Sequence, residues 1–283
     1  MIEIRNLTKK FGDFTAVDNL NLTIETGEFF GLLGPNGAGK TTTISMMSTV
    51  LLPTRGEIRV NGEVLNRRNS VQKRKLAVIT QEYSMRQDMT MEEVMEYQGR
   101  LYRMKKAKIR EKTNELLEFT DLIDYRKRVV RHLSGGMKRK LMICRALMID
   151  PEIILLDEPT AGMDALSRRQ MWTLLRQIND RDLTIILTTH YMEEAESLCD
   201  RVALINKGKL DIIETPQGLI EELGKYAVDE TREGKLVSRF FSERKDAIEY
   251  LSSLGQEGQE AVFRNSTLED VFVERIGSSL MKR

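Results

Sequence analysis

Gly34-Pro35-Asn36-Gly37-Ala38-Gly39-Lys40-Thr41 matches the spacing G-x-x-x-x-G-K-[ST]. Each residue type has a task if the ligand is a run of phosphates. The glycines let backbone N–H groups wrap anionic oxygens with no Cβ in the way. The Lys40 ammonium neutralises β- and γ-phosphate charge, and the Thr41 hydroxyl offers a hard oxygen to Mg²⁺. The stretch EFFGLLG at 28–34 reads as a strand and TTTISMMSTVL at 41–51 as a helix. That context puts phosphates at a helix N-terminus, where unpaired N–H groups and the macrodipole favour anions.

A second group of residues completes such a site. In IILLDEPT four apolar residues run into Asp157 and Glu158. Ligands of parallel sheets bind at the carboxyl ends of strands, so both acids fall on the ligand edge. Asp157 suits a Mg²⁺ shell; Glu158, one residue on, points elsewhere and can orient or deprotonate a water. Alone, a strand ending in Asp-Glu is an ordinary solvated strand end; the phosphate loop changes that reading. The chain has two histidines. His190 ends LTIILTTH, on the same sheet edge as Asp157, where an imidazole reaches a γ-phosphate; His132 is read as structural. Gln81, in AVITQEY, ends another strand at the entry to a helical stretch and is a candidate contact for Mg²⁺ or the attacking water.

A third device lies far along the chain. In RHLSGGMKRKLM, at 131–142, a serine and two glycines precede a basic, periodic stretch. This is a second helix start suited to an anion.

Alternating strand and helix patterns predict an α/β fold with a largely parallel sheet. GEIRVNGE at 56–63 alternates as a strand and closes on Asn61-Gly62, a tight-turn pair. The near-continuous apolar runs in PEIILLDEPT and LTIILTTH fit central strands covered on both faces. Between about 83 and 145 the sequence turns helical and charged, and Thr90 with Glu93 forms a capping box. The reading is a core with a helical insert over 1–216, then a small α+β extension over 217–283. Ser266 and Glu269 are expected to cap a last helix.

Composition narrows the partners. Lys plus Arg number 44 against 43 Asp plus Glu, a net charge of +1, so nothing argues for nucleic acid. Hydrophobic residues make up 41%, enough for a substantial core. Cys144 and Cys199 form no spaced set and are read as buried thiols in a reducing cytosol. The start MIEIRNLTKKF lacks a signal-peptide apolar region. No apolar run approaches the ~20 residues that span a bilayer, so any membrane task would leave the spanning to other chains.

Taken in order, these motifs resemble the ATP-binding subunit of an ATP-binding-cassette transporter. The resemblance covers 1 to about 215 and runs through Phe11 of KKFG, the loop at 34–41, Gln81, LSGGM at 133–137, LLDEPTAGMD at 155–164 with Asp164, and His190. Met137 stands where glutamine is more common. TTHYMEEAESLCDRVALINKGKL and STLEDVFVERIG resemble the daunorubicin-exporter and nodulation-factor-exporter branch. The resemblance implies a P-loop NTPase core, a mostly parallel sheet plus an antiparallel β subdomain, with ATP and Mg²⁺ as cofactors. It implies adenine stacking on Phe11 and phosphate contacts along 34–41 and at Thr42. Metal contacts fall to Thr41, Gln81 and Asp157, and catalysis to Glu158, His190, Gln81 and Lys40. It further implies that two such domains pack head to tail, so that Ser134, Gly135 and Gly136 of one complete the phosphate site of the other. Partners would be membrane-spanning permease subunits and a second copy or a relative of this chain. The chain would then sit in the cytoplasm, peripheral on the inner face of the membrane. The alternative is a soluble switch built on the same core. Translation-type relatives resemble two fused copies, and repair or chromosome types carry long coiled coils or zinc modules; this sequence has one copy and neither insert. A P-loop GTPase or kinase is opposed by LSGGM and His190.

Overall fold

The computed structural model describes residues 1–232, 235–256 and 260–281. They cluster in two compact units: Met1–His190 with Ala203–Ile212, and Tyr191–Val202 with Ile213–Arg283.

The first unit opens with an antiparallel hairpin, β1 (Ile2–Phe11) and β2 (Phe14–Ile24), closed by the pair Phe11 and Phe14. β3 (Phe29–Leu33) leads into α1 (Lys40–Met47). β4 (Arg55–Val60) and β5 (Glu63–Val64) join through Asn61 and Gly62, at φ +52° and +81°, the left-handed pair a tight hairpin needs. After the short α2 (Ser70–Arg74) and β6 (Leu76–Ile79) come the helices of the insert. These are α3 (Met91–Leu101), α4 (Lys106–Phe119) and α5 (Gly135–Leu147). Then follow β7 (Ile153–Asp157), α6 (Ala165–Asn179), β8 (Thr184–Thr189), α7 (Met192–Leu198), β9 (Arg201–Asn206) and β10 (Lys209–Glu214).

Two sheets result. One runs β2-β1-β4-β5 and is antiparallel. The other runs β10-β9-β3-β8-β7-β6, in which β3, β8, β7 and β6 are parallel neighbours. β3, β7 and β8 are buried along their whole length. Their apolar runs are continuous because a central parallel strand has no solvent face. Of the polar exceptions, Asp157, Thr188 and Thr189 sit at carboxyl ends, where the ligand edge lies, and Thr184 opens β8 at the other end.

In the second unit α7 packs with α8 (Pro216–Leu223) and α10 (Leu268–Met281). β11 (Tyr226–Arg232), β12 (Lys235–Phe241) and β13 (Ala261–Asn265) form an antiparallel sheet in the order β12-β11-β13. α9 (Arg244–Gln256) lays Ala247 and Leu254 on Val228 of that sheet. Arg264 joins Asp229 and Asp270 at 2.6 and 2.7 Å. Among the described residues no helix is long and apolar enough to cross a membrane.

Three local expectations shift. The helix expected over 41–51 stops at Met47, because Thr49 turns left-handed at φ +61° and Leu51 folds its N–H back to Ser45. β6 ends at Ile79, so Gln81 lies beyond the strand rather than on it. The last helix is capped one residue on from Ser266 and Glu269. Thr267 accepts from the Asp270 N–H, and the Asp270 carboxylate accepts from the Thr267 N–H, while Ser266 is buried.

The Thr90 capping box forms as read, the Thr90 N–H donating to Glu93 Oε2 at 2.7 Å and the Glu93 N–H to Thr90 Oγ1 at 3.3 Å. Thr90→Ala should lower the unfolding free energy by about 1 kcal/mol, and Thr90→Ser should restore it, read by denaturant unfolding.

Candidate active site

The phosphate loop is held by two close approaches that exclude any side chain. A Cβ on Gly39 would meet the Ala16 carbonyl oxygen of β2 at 2.5 Å, and one on Gly34 the Ile205 oxygen of β9 at 2.2 Å. Gly39 is also left-handed, at φ +105°, as it turns into α1. It brings no side-chain cap, and the first turn of α1 carries no acid. The opening N–H groups of α1 are thus left to an anion. Asn36 and Gly37 are exposed at the tip, Pro35 and Thr42 half-buried, and Ala38 buried with its N–H on the Pro35 carbonyl at 3.1 Å.

Lys40 is buried. Its ammonium donates to the Gly34 carbonyl at 2.8 Å and to the Pro35 carbonyl at 3.2 Å. Burial holds its pKa below the usual 10.5, against the opposing pull of Glu158 and Asp157. The charges of these three groups therefore meet at one place, as the sequence motifs required.

Asp157 closes β7 and is 9% exposed. Its Oδ1 accepts from Thr188 Oγ1 at 2.5 Å and from Thr41 Oγ1 at 3.3 Å. Thr41 and Asp157 are hard oxygen groups already in contact, a donor set that fits Mg²⁺. Thr188 escaped the sequence reading. It is the penultimate residue of β8 and reads as an ordinary strand threonine, and only the parallel register Asp157↔Thr188 brings its hydroxyl to the carboxylate. Glu158 turns left-handed at φ +48°, rare for a residue with a side chain. Its N–H donates to the Thr188 carbonyl at 3.0 Å, and its Oε1 lies 3.1 Å from His190 Nδ1. Its side chain is the more buried of the pair, 17% exposed against 41% for His190. Gln81 is exposed and is held by its carbonyl, which accepts from Arg139 at 3.0 Å.

Phe11 stands apart at the tip of the β1–β2 hairpin, 49% exposed, with the Lys9 ammonium 5.2 Å from its ring centre. Its ring is open to stacking. β2 links it to the loop, since the same strand supplies Ala16 beneath Gly39.

The second anion device is a capped helix start. Ser134 is the N-cap of α5 and its Oγ accepts from the Met137 N–H at 3.2 Å. Residue 137 is used here through its backbone, so methionine in place of glutamine leaves this contact intact. Gly135 and Gly136 form an acid-free first turn, and a concavity of 200 Å³ opens beside Ser134, Gly136 and Met137. Asp164 caps α6 in the same manner, on the Ser167 N–H at 2.9 Å, and the Ser167 hydroxyl bond holds its carboxyl below the usual range.

The state of Lys40 yields a pH dependence. Burial lowers the Lys40 pKa, and a polyphosphate beside it would raise it. Nucleotide binding should take up protons once the pH exceeds the free Lys40 value, and affinity should fall as pH rises through that value. Calorimetry of ATP binding in buffers of different ionisation enthalpy reads this directly. Lys40→Arg, permanently charged, should abolish the uptake.

Comparison with known proteins agrees with this geometry. The model of the family "ABC transporter" matches residues 17–161. Nod factor export ATP-binding protein I of Cupriavidus metallidurans is 35% identical, over 99% of this chain and 98% of its own length. Linearmycin resistance ATP-binding protein LnrL of Bacillus subtilis is 38% identical, over 79% of this chain and 72% of its own. Among solved structures, the ATP-binding cassette MJ0796, dimeric in a post-hydrolysis state with ADP and Pi, superposes with a TM-score of 0.68 at 28% identity. That match covers 76% of this chain and 98% of the other. The chain therefore belongs to the ABC transporter family, as one of its ATP-binding and ATP-hydrolysing subunits.

Proposed function

We propose that this chain powers an exporter by binding Mg²⁺-ATP between two head-to-tail copies of the 1–216 domain, or between one copy and a related subunit. The observation that carries the reading is the Asp157 carboxylate, bonded by the Thr41 and Thr188 hydroxyls beside the Lys40 ammonium. Phe11 stacks on adenine. Residues 34–41 and Thr42 enclose the phosphates, and Lys40 exchanges its two loop carbonyls for phosphate oxygens. Thr41 and Asp157 hold the metal together with Gln81; Mg²⁺ offsets charge on the β- and γ-phosphates when bound. Glu158 accepts the proton of the attacking water, and His190 orients Glu158 and contacts the γ-phosphate.

In this reading Ser134, Gly135 and Gly136 of the partner supply the remaining donors to the γ-phosphate. The acid-free helix start and the concavity beside it support that role. The dimer then lasts only while the γ-phosphate does. Permease subunits dock on the helical insert. A cavity of 610 Å³ between β6 and α3, lined by Tyr97, Leu101 and Tyr102 with Lys73, Arg74 and Arg145, supports that site. The export role follows the relatives named for Nod factor export and linearmycin resistance. The place of action is the cytoplasmic face of the membrane, and residues 217–283 serve as an accessory domain.

The division of labour between the two acids is testable. Asp157→Asn should weaken Mg²⁺-ATP binding itself. Glu158→Gln should spare binding and slow hydrolysis by about 10²–10⁴-fold. The Glu158→Gln protein should accumulate as a dimer with ATP and as a monomer with ADP in size-exclusion chromatography with light scattering. A monomer in saturating ATP would remove the sandwich of two identical chains.

A further inference from the structure

Several charged side chains are buried outside the roles given above, among them Glu28, Lys112, Arg139, Glu194 and Glu230. Arg139, on the fifth residue of α5, is 2% exposed, among the largest side chains buried so fully. Its guanidinium reaches three backbone carbonyls on two different loops. Nη1 donates to Thr80 at 2.6 Å, and Nη2 to Gln81 at 3.0 Å and to Glu158 at 3.5 Å. The Tyr83 ring lies 5.4 Å from its Cζ, and the Tyr83 hydroxyl donates to the Gly135 carbonyl at 3.3 Å.

An apolar side chain would fill this volume without the cost of desolvating a cation. What arginine adds is a rigid fork of N–H donors that fixes several acceptors at once. The acceptors it fixes belong to Thr80 and Gln81 on one loop and to Glu158 on another, and the function proposed above gives Gln81 and Glu158 roles at the γ-phosphate. Glu158 needs such support: a left-handed non-glycine residue persists only where its surroundings over-determine it. Its N–H is tied to Thr188, and its carbonyl faces Arg139. The same guanidinium grows from the helix whose first residues are Gly135 and Gly136, behind the Ser134 cap.

We propose that Arg139 is a positioning residue. It ties the Gln81 loop and the Glu158 turn to the helix that presents Ser134, Gly135 and Gly136. The inference rests on the function proposed above. It adds an internal link between the half-site a chain uses for its own ATP and the half-site it lends to its partner. A shift of the Gln81 loop would move with it the donors that this chain lends to its partner's γ-phosphate, since Arg139 bonds Gln81 from α5 and Tyr83 bonds Gly135.

The full chain tests this by steady-state ATPase kinetics. Arg139→Gln keeps donors but loses the fork and the charge; Arg139→Lys keeps the charge and loses the fork. A misplaced Glu158 should lower kcat of Arg139→Gln by about 10–100-fold. KM for ATP should stay within about twofold, because the phosphate loop is untouched. Arg139→Lys should fall between this variant and wild type. In a Glu158→Gln background, Arg139→Gln should cost a smaller factor than in wild type, because one of the two groups it positions is already lost. Either of two results overturns the proposal: a kcat for both folded variants within about twofold of wild type, or the same fold loss with and without Glu158. If Arg139→Gln does not fold, Arg139→Lys decides alone, by both its kcat and its non-additivity with Glu158→Gln. Lys40→Ala separates the two levels of the argument. Normal hydrolysis there removes the phosphate-loop reading itself, whereas an inactive Lys40→Ala beside fully active Arg139 variants removes only the link.

Discussion

A lysine ammonium held out of bulk water next to two carboxylates is the interaction on which this structure turns. Lys40 bonds the carbonyls of Gly34 and Pro35, which satisfies the buried ammonium and ties it to the loop. The loop can take its shape because Gly34 and Gly39 press against the Ile205 and Ala16 carbonyls with no room for a Cβ. In the proposed function a phosphate replaces weak carbonyl acceptors by strong anionic ones, so a preformed loop would lose little in ordering itself and gain charge-assisted bonds.

The parallel sheet brings the opposing charges to that cation. β3, β8 and β7 lie side by side, so the loop after β3, the threonines ending β8 and the acids ending β7 share one edge. Thr188 fixes Asp157 toward Thr41, while the left-handed turn at Glu158 sends the next carboxylate to His190. Two adjacent acids thus obtain separate surroundings from one change of backbone hand. The helical insert, by contrast, meets the site through carbonyls, with Arg139 and Tyr83 as its contacts.

Much of this was legible in the sequence. The glycine spacing at 34–41, the apolar run into Asp157 and the Thr90–Glu93 box each encode a local rule that the fold obeys. The losses have physical causes. Thr188 reads as a strand residue, because its partner is set by register between strands, which no local pattern records. Arg139 sits in the basic run MKRK, where charge reads as a solvated face, yet it is buried while its neighbour Lys138 is only half-buried. Ser266 and Glu269 offered the same cap spacing as Thr267 and Asp270, shifted by one, and Arg264 settles the choice by binding Asp270. The early end of α1 at Met47 follows from a left-handed Thr49 that no turn residue announced.

In the head-to-tail pair proposed above, the ATP site of one chain is completed by Ser134 of the other. Subunit mixing tests it most directly. Lys40→Ala disables the phosphate loop and Ser134→Arg disables the helix start, so each variant alone should be inactive. In a head-to-tail pair of one with the other, both defects fall in the same site and the second site is intact. Mixing equal amounts should restore about a quarter of wild-type ATPase activity, since about half the dimers are mixed and each has one working site of two. No recovery on mixing, with mixed dimers demonstrated in the sample, would rule out the head-to-tail pair.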